Sequence, residues 1–204
     1  MKRRTILRFV KTGLLPADDP PMRADVRRNR RRLLDAAIGL ILEIGGDPSR
    51  DAVAQRANIG IATLYRHFPD QQALLRAVVL DVLDRTIEQG NVALAESSTG
   101  AEALRRYLHA SIDTGLGVVN IVHRLLDNSD WPDRRAAARD VLDRLIKAAR
   151  SDGAIDHDVT PTDIALATIR FCRPLAIGLD PADERAIAHR QLTNYLDGLI
   201  KSDH

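Results

Sequence analysis

Aromatic residues make up only 3% of this 204-residue chain, and cysteine occurs once, at Cys172. A lone cysteine excludes an internal disulfide framework and any multi-cysteine zinc site, and it suits a reducing compartment. Its plainest role is that of a small buried apolar residue. Scarce aromatics, abundant Ala, Leu and Ile, and long stretches free of glycine point to an all-α protein. No window approaches the run of about 18 uninterrupted apolar residues that a membrane span needs, so no membrane partner is expected. No repeat with a period of about 20 to 50 residues is present, which excludes a solenoid. The basic, partly apolar stretch Met1 to Leu15 is interrupted by Lys11 and Gly13 and lacks a small-residue cleavage signal, so it does not read as a signal peptide. A cytoplasmic location is expected.

What is present suffices for a proper core, since 45% of the residues are hydrophobic. Net charge is only +2, but it is unevenly spread. Residues 1 to 78 hold 15 Lys and Arg against 8 Asp and Glu, and the remainder holds 15 against 20. That asymmetry suits a nucleic-acid-facing front joined to a body with a different task.

Pro16-Ala17-Asp18-Asp19-Pro20-Pro21 reads as a linker. Residues 1–21 are expected to form a disordered extension, either a genuine arm or a stretch upstream of a true start at Met22. Apolar spacings of three and four then predict a helix from Ala24 to about Ile44 (Leu33, Ala36, Ala37, Leu40, Ile41), closed by Gly45-Gly46-Asp47-Pro48. Ser49 caps a second helix to Ala57, a third spans about 61–67, and Asp70 caps a fourth running to about Leu94. Further helices are expected near 101–114, 117–128, 133–151, 161–178 and 182–201, about nine in all, with Pro174 kinking or shortening the eighth. The expected division is an extension (1–21), a head (22–69) and a body (70–204).

The run Ala54 to Pro69 packs a helix, a three-residue turn and a short second helix into sixteen positions, which is the footprint of a helix-turn-helix. Ala54 and Ala57 allow close crossing, Asn58 sits where the first helix must stop in a left-handed conformation, and Pro69 bars further helix. Thr63, Tyr65, Arg66 and His67 gather hydrogen-bonding groups on the second helix, suited to phosphates or base edges. The arginine-rich run from Arg27 and Arg28 to Arg32 begins the first helix and is either a solvated face or a contact to DNA backbone or minor groove. Phe68 reads as core. His67 has no second ligand at metal-binding spacing, and no metal is expected.

Residues 33 to 79 resemble the N-terminal domain of the tetracycline-repressor-like (TetR) family of transcriptional regulators. The likeness rests on Leu33-Leu34-Asp35-Ala36-Ala37, Gly45, Ser49, Val53-Ala54-Gln55-Arg56-Ala57, Ala62 to Pro69, and Ala73-Leu74-Leu75, in order and at matching intervals. The resemblance implies a three-helix DNA-binding head and an all-helical ligand-binding and dimerisation body. It implies DNA contacts from Arg27, Arg28, Ser49, Arg50, Gly60, Ile61, Ala62, Thr63, Tyr65, Arg66, His67 and Gln71. Thr63, Tyr65 and His67 match positions that hold phosphate, while Ile61 and Ala62 match base-facing positions and offer only apolar contact, for example to a thymine methyl. Specificity then leans on Arg66 and Arg50. Three departures stand out: Asn58 for the usual turn glycine, Arg50 for an apolar residue, and Gln71 for a common lysine. The last makes the salt dependence of DNA binding shallower by about one unit of slope.

For the body, the resemblance implies a homodimer through 161–201, a palindromic double-stranded DNA operator and an unknown small-molecule effector. Tyr107, Leu108, Ile112, Leu116, Val119, His123, Trp131 and Phe171 are the candidate pocket lining, though residues of this kind are more often core than ligand contact. The function expected is a DNA-binding regulator, a repressor released by its effector. Two rivals remain: a helical protein-interaction module that has lost DNA binding, and an enzyme built on His109, His123, Asp113 and Cys172. No phosphate loop, nucleophile elbow or metal spacing favours the enzyme, and no cofactor is expected.

Overall fold

The computed structural model describes residues 20–123, 125–126, 131–156, 158–173 and 178–200, with side chains from Ala24 onward. Among these residues there are nine helices and no strand: α1 (Pro20–Ile44), α2 (Arg50–Ala57), α3 (Ile61–His67), α4 (Gln71–Glu96), α5 (Gly100–Asp113), α6 (Gly117–Val122), α7 (Pro132–Ser151), α8 (Pro161–Phe171) and α9 (Pro181–Leu199). The expected all-α class is the observed one. The expected disordered extension lies outside the described residues up to 19. Its last two positions do not: α1 begins at Pro20, because proline lacks only an N–H that the first helical turn leaves unused.

Most boundaries follow from local chemistry. Ser49 Oγ accepts the Ala52 N–H at 3.2 Å, and Asp70 accepts that of Ala73 at 2.6 Å. Thr160 and Asp163 form a reciprocal capping box, the Asp163 N–H on Thr160 Oγ1 at 3.2 Å and the Thr160 N–H on Asp163 Oδ2 at 2.9 Å. Two helices end sooner than periodicity suggests. α6 stops at Val122 rather than 128, and α8 at Phe171 rather than 178. The residue before a proline is steered out of the helical region, which is consistent with an end short of Pro174, itself outside the described residues.

The core falls into two apolar clusters. The first joins α1 (Leu33, Ala37, Ile41), α2 (Val53), α3 (Leu64) and Phe68 to the front half of α4, and it continues through Val118, Val122, Leu126 and Trp131. This cluster therefore runs past residue 69, along α4 as far as Leu83 and on to Trp131. The second joins the back half of α4 to α5, α7, α8 and α9 around Leu104, Leu108, Leu145, Ile146, Ile164 and Leu192, while Leu116 packs against both. Ion pairs reinforce the seam between head and body. Arg85 of α4 reaches Asp35 of α1 at 2.6 Å and also pairs with Asp81, which Arg31 of α1 meets at 3.3 Å.

Gly117 is among the glycines that a close backbone approach requires. A Cβ at Gly117 would stand 2.0 Å from the carbonyl oxygen of Cys172, so α6 and the end of α8 meet backbone to backbone.

Candidate DNA interface

α2 ends at Asn58, whose φ of 50° and ψ of 51° put it in the left-handed region. The Asn58 N–H bonds to Gln55 O at 3.0 Å and the Ile59 N–H to Ala54 O at 3.0 Å, so the turn satisfies two carbonyls that the helix end leaves open. Gly60 then begins α3 by accepting from Thr63 and Leu64. Leu64 and Phe68 are buried in the head cluster and hold α3 by one face, which turns Ala62, Tyr65 and Arg66 outward. Tyr65 is 44% exposed. Thr63 and His67 are half-buried at the flanks, and Ile61 packs partly against the cluster.

Not all of the expected DNA-contacting residues have free side chains. Arg50 lies 4.5 Å over the Tyr65 ring and donates to Pro69 O at 3.0 Å, which braces α2 against α3. Arg66 folds back along its own helix onto Thr63 Oγ1 at 3.2 Å and Ala62 O at 3.3 Å. Gln71 donates to Asp47 and, at 2.9 Å, to Pro48 O, pinning the loop before α2 to the start of α4. Arg50 and Arg66 keep further N–H donors for a DNA contact, whereas these bonds restrict where each side chain can reach.

The arginine run divides in the same way. Arg28 pairs with Asp25, and Arg30 lies 4.8 Å over the Phe68 ring. Arg32 donates to Ala57 O at 2.6 Å and to Asn58 O at 3.3 Å, placing a cation at the negative end of α2. Arg27 is exposed and makes no side-chain bond among the described residues. Arg30 and Arg32 belong to the run expected to be either a solvated face or a DNA contact, and both turn inward on the head instead. The one sequence signal for Arg32 is a guanidinium on the helix that must cross α2, and the contact spans 25 positions.

Burial and the charges of Arg30 and Arg66 hold the His67 imidazole below its ordinary pKa. A neutral ring at physiological pH donates a hydrogen bond to a phosphate without adding a counterion-releasing charge.

The expected pocket lining does not gather around one cavity. Tyr107 and Leu108 are buried in the second cluster and Trp131 in the first, while Leu116 bridges the two and His123 is half-buried at the end of α6. Phe171 stands 5.6 Å from Tyr195, and only it and Ile112 of the expected set reach the larger described cavity, at the seam of head and body. No described helix is long and apolar enough to cross a membrane.

Comparison with known proteins places both halves. Residues 33–78 match the family model described as bacterial regulatory proteins, tetR family. Residues 99–201 match the model for the C-terminal domain of SbtR-like transcriptional regulators. The structure of the TetR transcriptional regulator SCO0520 from Streptomyces coelicolor is 30% identical, with a TM-score of 0.64, over 85% of this chain and 99% of that one. That of the TetR transcription regulatory protein from Mycobacterium vanbaalenii is 28% identical, with a TM-score of 0.65, over 89% of this chain and all of that one. Among curated relatives, the HTH-type transcriptional repressor LfrR of Mycolicibacterium smegmatis is 32% identical over 90 residues, 43% of this chain and 46% of that repressor. The match thus spans less than half the length of that relative. With a helix-turn-helix head and a helical body both matched, the chain belongs to the TetR family of bacterial transcriptional regulators.

Proposed function

We propose that the protein is a dimeric repressor that binds a two-fold DNA site through α3 and leaves it when a small molecule binds. The observation that carries this reading is the α2–α3 unit itself. Leu64 and Phe68 anchor one face of a seven-residue helix, and Tyr65, Thr63 and His67 stand on its outer side and flanks. A hydroxyl, a phenol and a neutral imidazole donate to phosphate oxygens and fix register, while Ala62 and the partly packed Ile61 leave room for a thymine methyl.

One such helix covers too little area for tight specific binding, and two-fold pairing doubles it. Leu166 of α8, 52% exposed, supports the expected pairing through 161–201, because an apolar side chain of that size on a helix surface gains from being covered. Repression and release then follow if the effector favours a conformer whose heads are wrongly spaced for DNA, with an effect bounded by its differential affinity for the two conformers.

A mobility-shift titration of duplexes from the gene's own upstream region tests the reading. Wild type should retard one of them, and Tyr65→Ala with His67→Ala should weaken that binding at least tenfold. Equal retardation by wild type and double variant would overturn the assignment of α3. The protein-interaction reading is not favoured, since Asn58 keeps the turn intact without the glycine.

A further inference from the structure

A cavity of about 640 Å³ lies between head and body, within the size range of small-molecule sites. α1 and Arg56 of α2 wall it on the head side; Ile112 of α5, the end of α8 and the first half of α9 wall it on the body side. Ile112 is buried and Leu42, Phe171 and Ile187 are half-buried, so the wall they share is apolar. Two of the chain's exposed large hydrophobic residues, Ile44 at 54% and Leu179 at 40%, also face this space. Apolar groups left open to water around a concavity gain from an apolar occupant.

The charge is one-sided. Four guanidiniums line the cavity, those of Arg56, Arg170, Arg173 and Arg185, against the carboxylates of Glu43 and Glu184. Arg56 holds Glu43 through both of its terminal nitrogens, which lowers the Glu43 carboxyl below its usual range. Arg170, Arg173 and Arg185 are exposed and form no ion pair with any described residue. The position of Arg170 in the last turn of α8 suits the helix dipole, but that accounts for one cation of the three. Apolar walls beneath a set of uncommitted guanidiniums match a molecule with an apolar body and an anionic end, because a carboxylate takes a guanidinium fork bidentately.

We propose that this cavity binds an anionic amphiphile, an alkyl or aryl carboxylate, whose charged end meets Arg170, Arg173 and Arg185 and whose apolar part reaches Leu42 and Ile112. The proposal rests on the regulator reading for its consequence: it names the effector's chemical class and its seat. The occupant would touch α1 and the body together, and the Arg56–Glu43 pair ties α1 to α2, so a favoured position of α1 is passed to the helix that carries α3. Coupling of this kind is reciprocal, so DNA that selects one head position must weaken carboxylate binding by the same factor.

The test uses the full chain, sodium decanoate and, as the cationic control, decyltrimethylammonium, with binding measured by calorimetry. Decanoate should bind at least tenfold tighter than the cation. The triple variant Arg170→Gln, Arg173→Gln, Arg185→Gln should lose at least tenfold in decanoate affinity while keeping the wild-type shift of the operator duplex. Ile112→Trp, which fills the cavity from a different wall, serves as a second variant, and circular dichroism melts confirm folding of both. Decanoate binding that both variants leave unchanged, or that the cation equals, overturns the proposal and leaves the regulator reading standing. Selective decanoate binding by a chain that shifts no DNA overturns the regulator reading and leaves the site standing.

Discussion

Single side chains in the head divide into those that hold it and those left for DNA. Arg32 belongs to the first group, since its guanidinium closes the carbonyl end of α2. Arg32→Met should cost about 1 kcal/mol in urea unfolding, the net worth of a partly exposed charged hydrogen bond, whereas Arg27→Met should cost almost nothing. Equal losses in the two variants would contradict the division. A second residue-scale feature lies between α5 and α9. His109 Nδ1 and His189 Nδ1 face each other at 2.8 Å with the rings stacked, His189 Nε2 meets Asp113 at 3.0 Å, and His109 Nε2 lies 3.4 Å from Thr193 Oγ1. One of the two facing nitrogens must carry a hydrogen and the other must not, so the pair cannot accept its full complement of protons. Burial, His189 and Arg105 hold the His109 pKa below its ordinary value, with Asp113 opposing. Because folding lowers this pKa, the unfolded chain binds the proton more tightly. The contribution to stability is therefore whole above about pH 6.5 and is lost as pH falls through that value, levelling off below the folded pKa. Melting temperatures taken from pH 8 to 5 should fall less for His109→Gln than for wild type. Some fall should persist in the variant, because His67 is shifted in the same direction.

At the scale of elements, the turn between α2 and α3 is the decisive piece. A non-glycine residue in the left-handed region costs about 1 kcal/mol, less for asparagine than for most residues. Asn58→Gly should therefore raise the melting temperature slightly, and Asn58→Ala should lower it by the equivalent of about 1 kcal/mol. A rise with alanine would show that the turn is not what the φ of 50° indicates. Gly117→Ala should cost more, about 2 kcal/mol, since its new methyl would meet the Cys172 carbonyl and force α6 and α8 apart. Caps and breaks such as Ser49, Asn58 and Asp70 were legible in the sequence because each acts within three or four positions of itself. The partners of Arg32, Arg50 and Gln71 were not, because those bonds join positions 25, 19 and 23 residues apart and depend on how the helices cross. The family resemblance named Arg50 and Gln71 as DNA-facing and the arginine run offered Arg32; packing gives all three work inside the head.

Among the described residues α4 joins the two apolar clusters, its front half in the first and its back half in the second. A division at residue 69 reads well from the sequence, where Pro69 stops α3, yet the first apolar cluster continues beyond it, along α4 to Leu83 and on to Trp131. The expected pocket was illegible for a related reason. Aromatic and aliphatic residues at helical spacing look alike whether they fill a core or border a cavity, and Tyr107, Leu108 and Trp131 fill the core. Pairing of two chains is the remaining claim at this scale: sedimentation should give about twice 22.6 kDa at micromolar concentration, and a monomer there would remove the basis for a two-fold site. The most direct test of the whole account is selection by the purified protein from a pool of random-sequence duplexes at modest salt. Enrichment of two inverted half-sites, centred about one helical turn or a small multiple of it apart, is the predicted result. Failure to enrich any sequence, or enrichment of a single half-site without a symmetric mate, would contradict it.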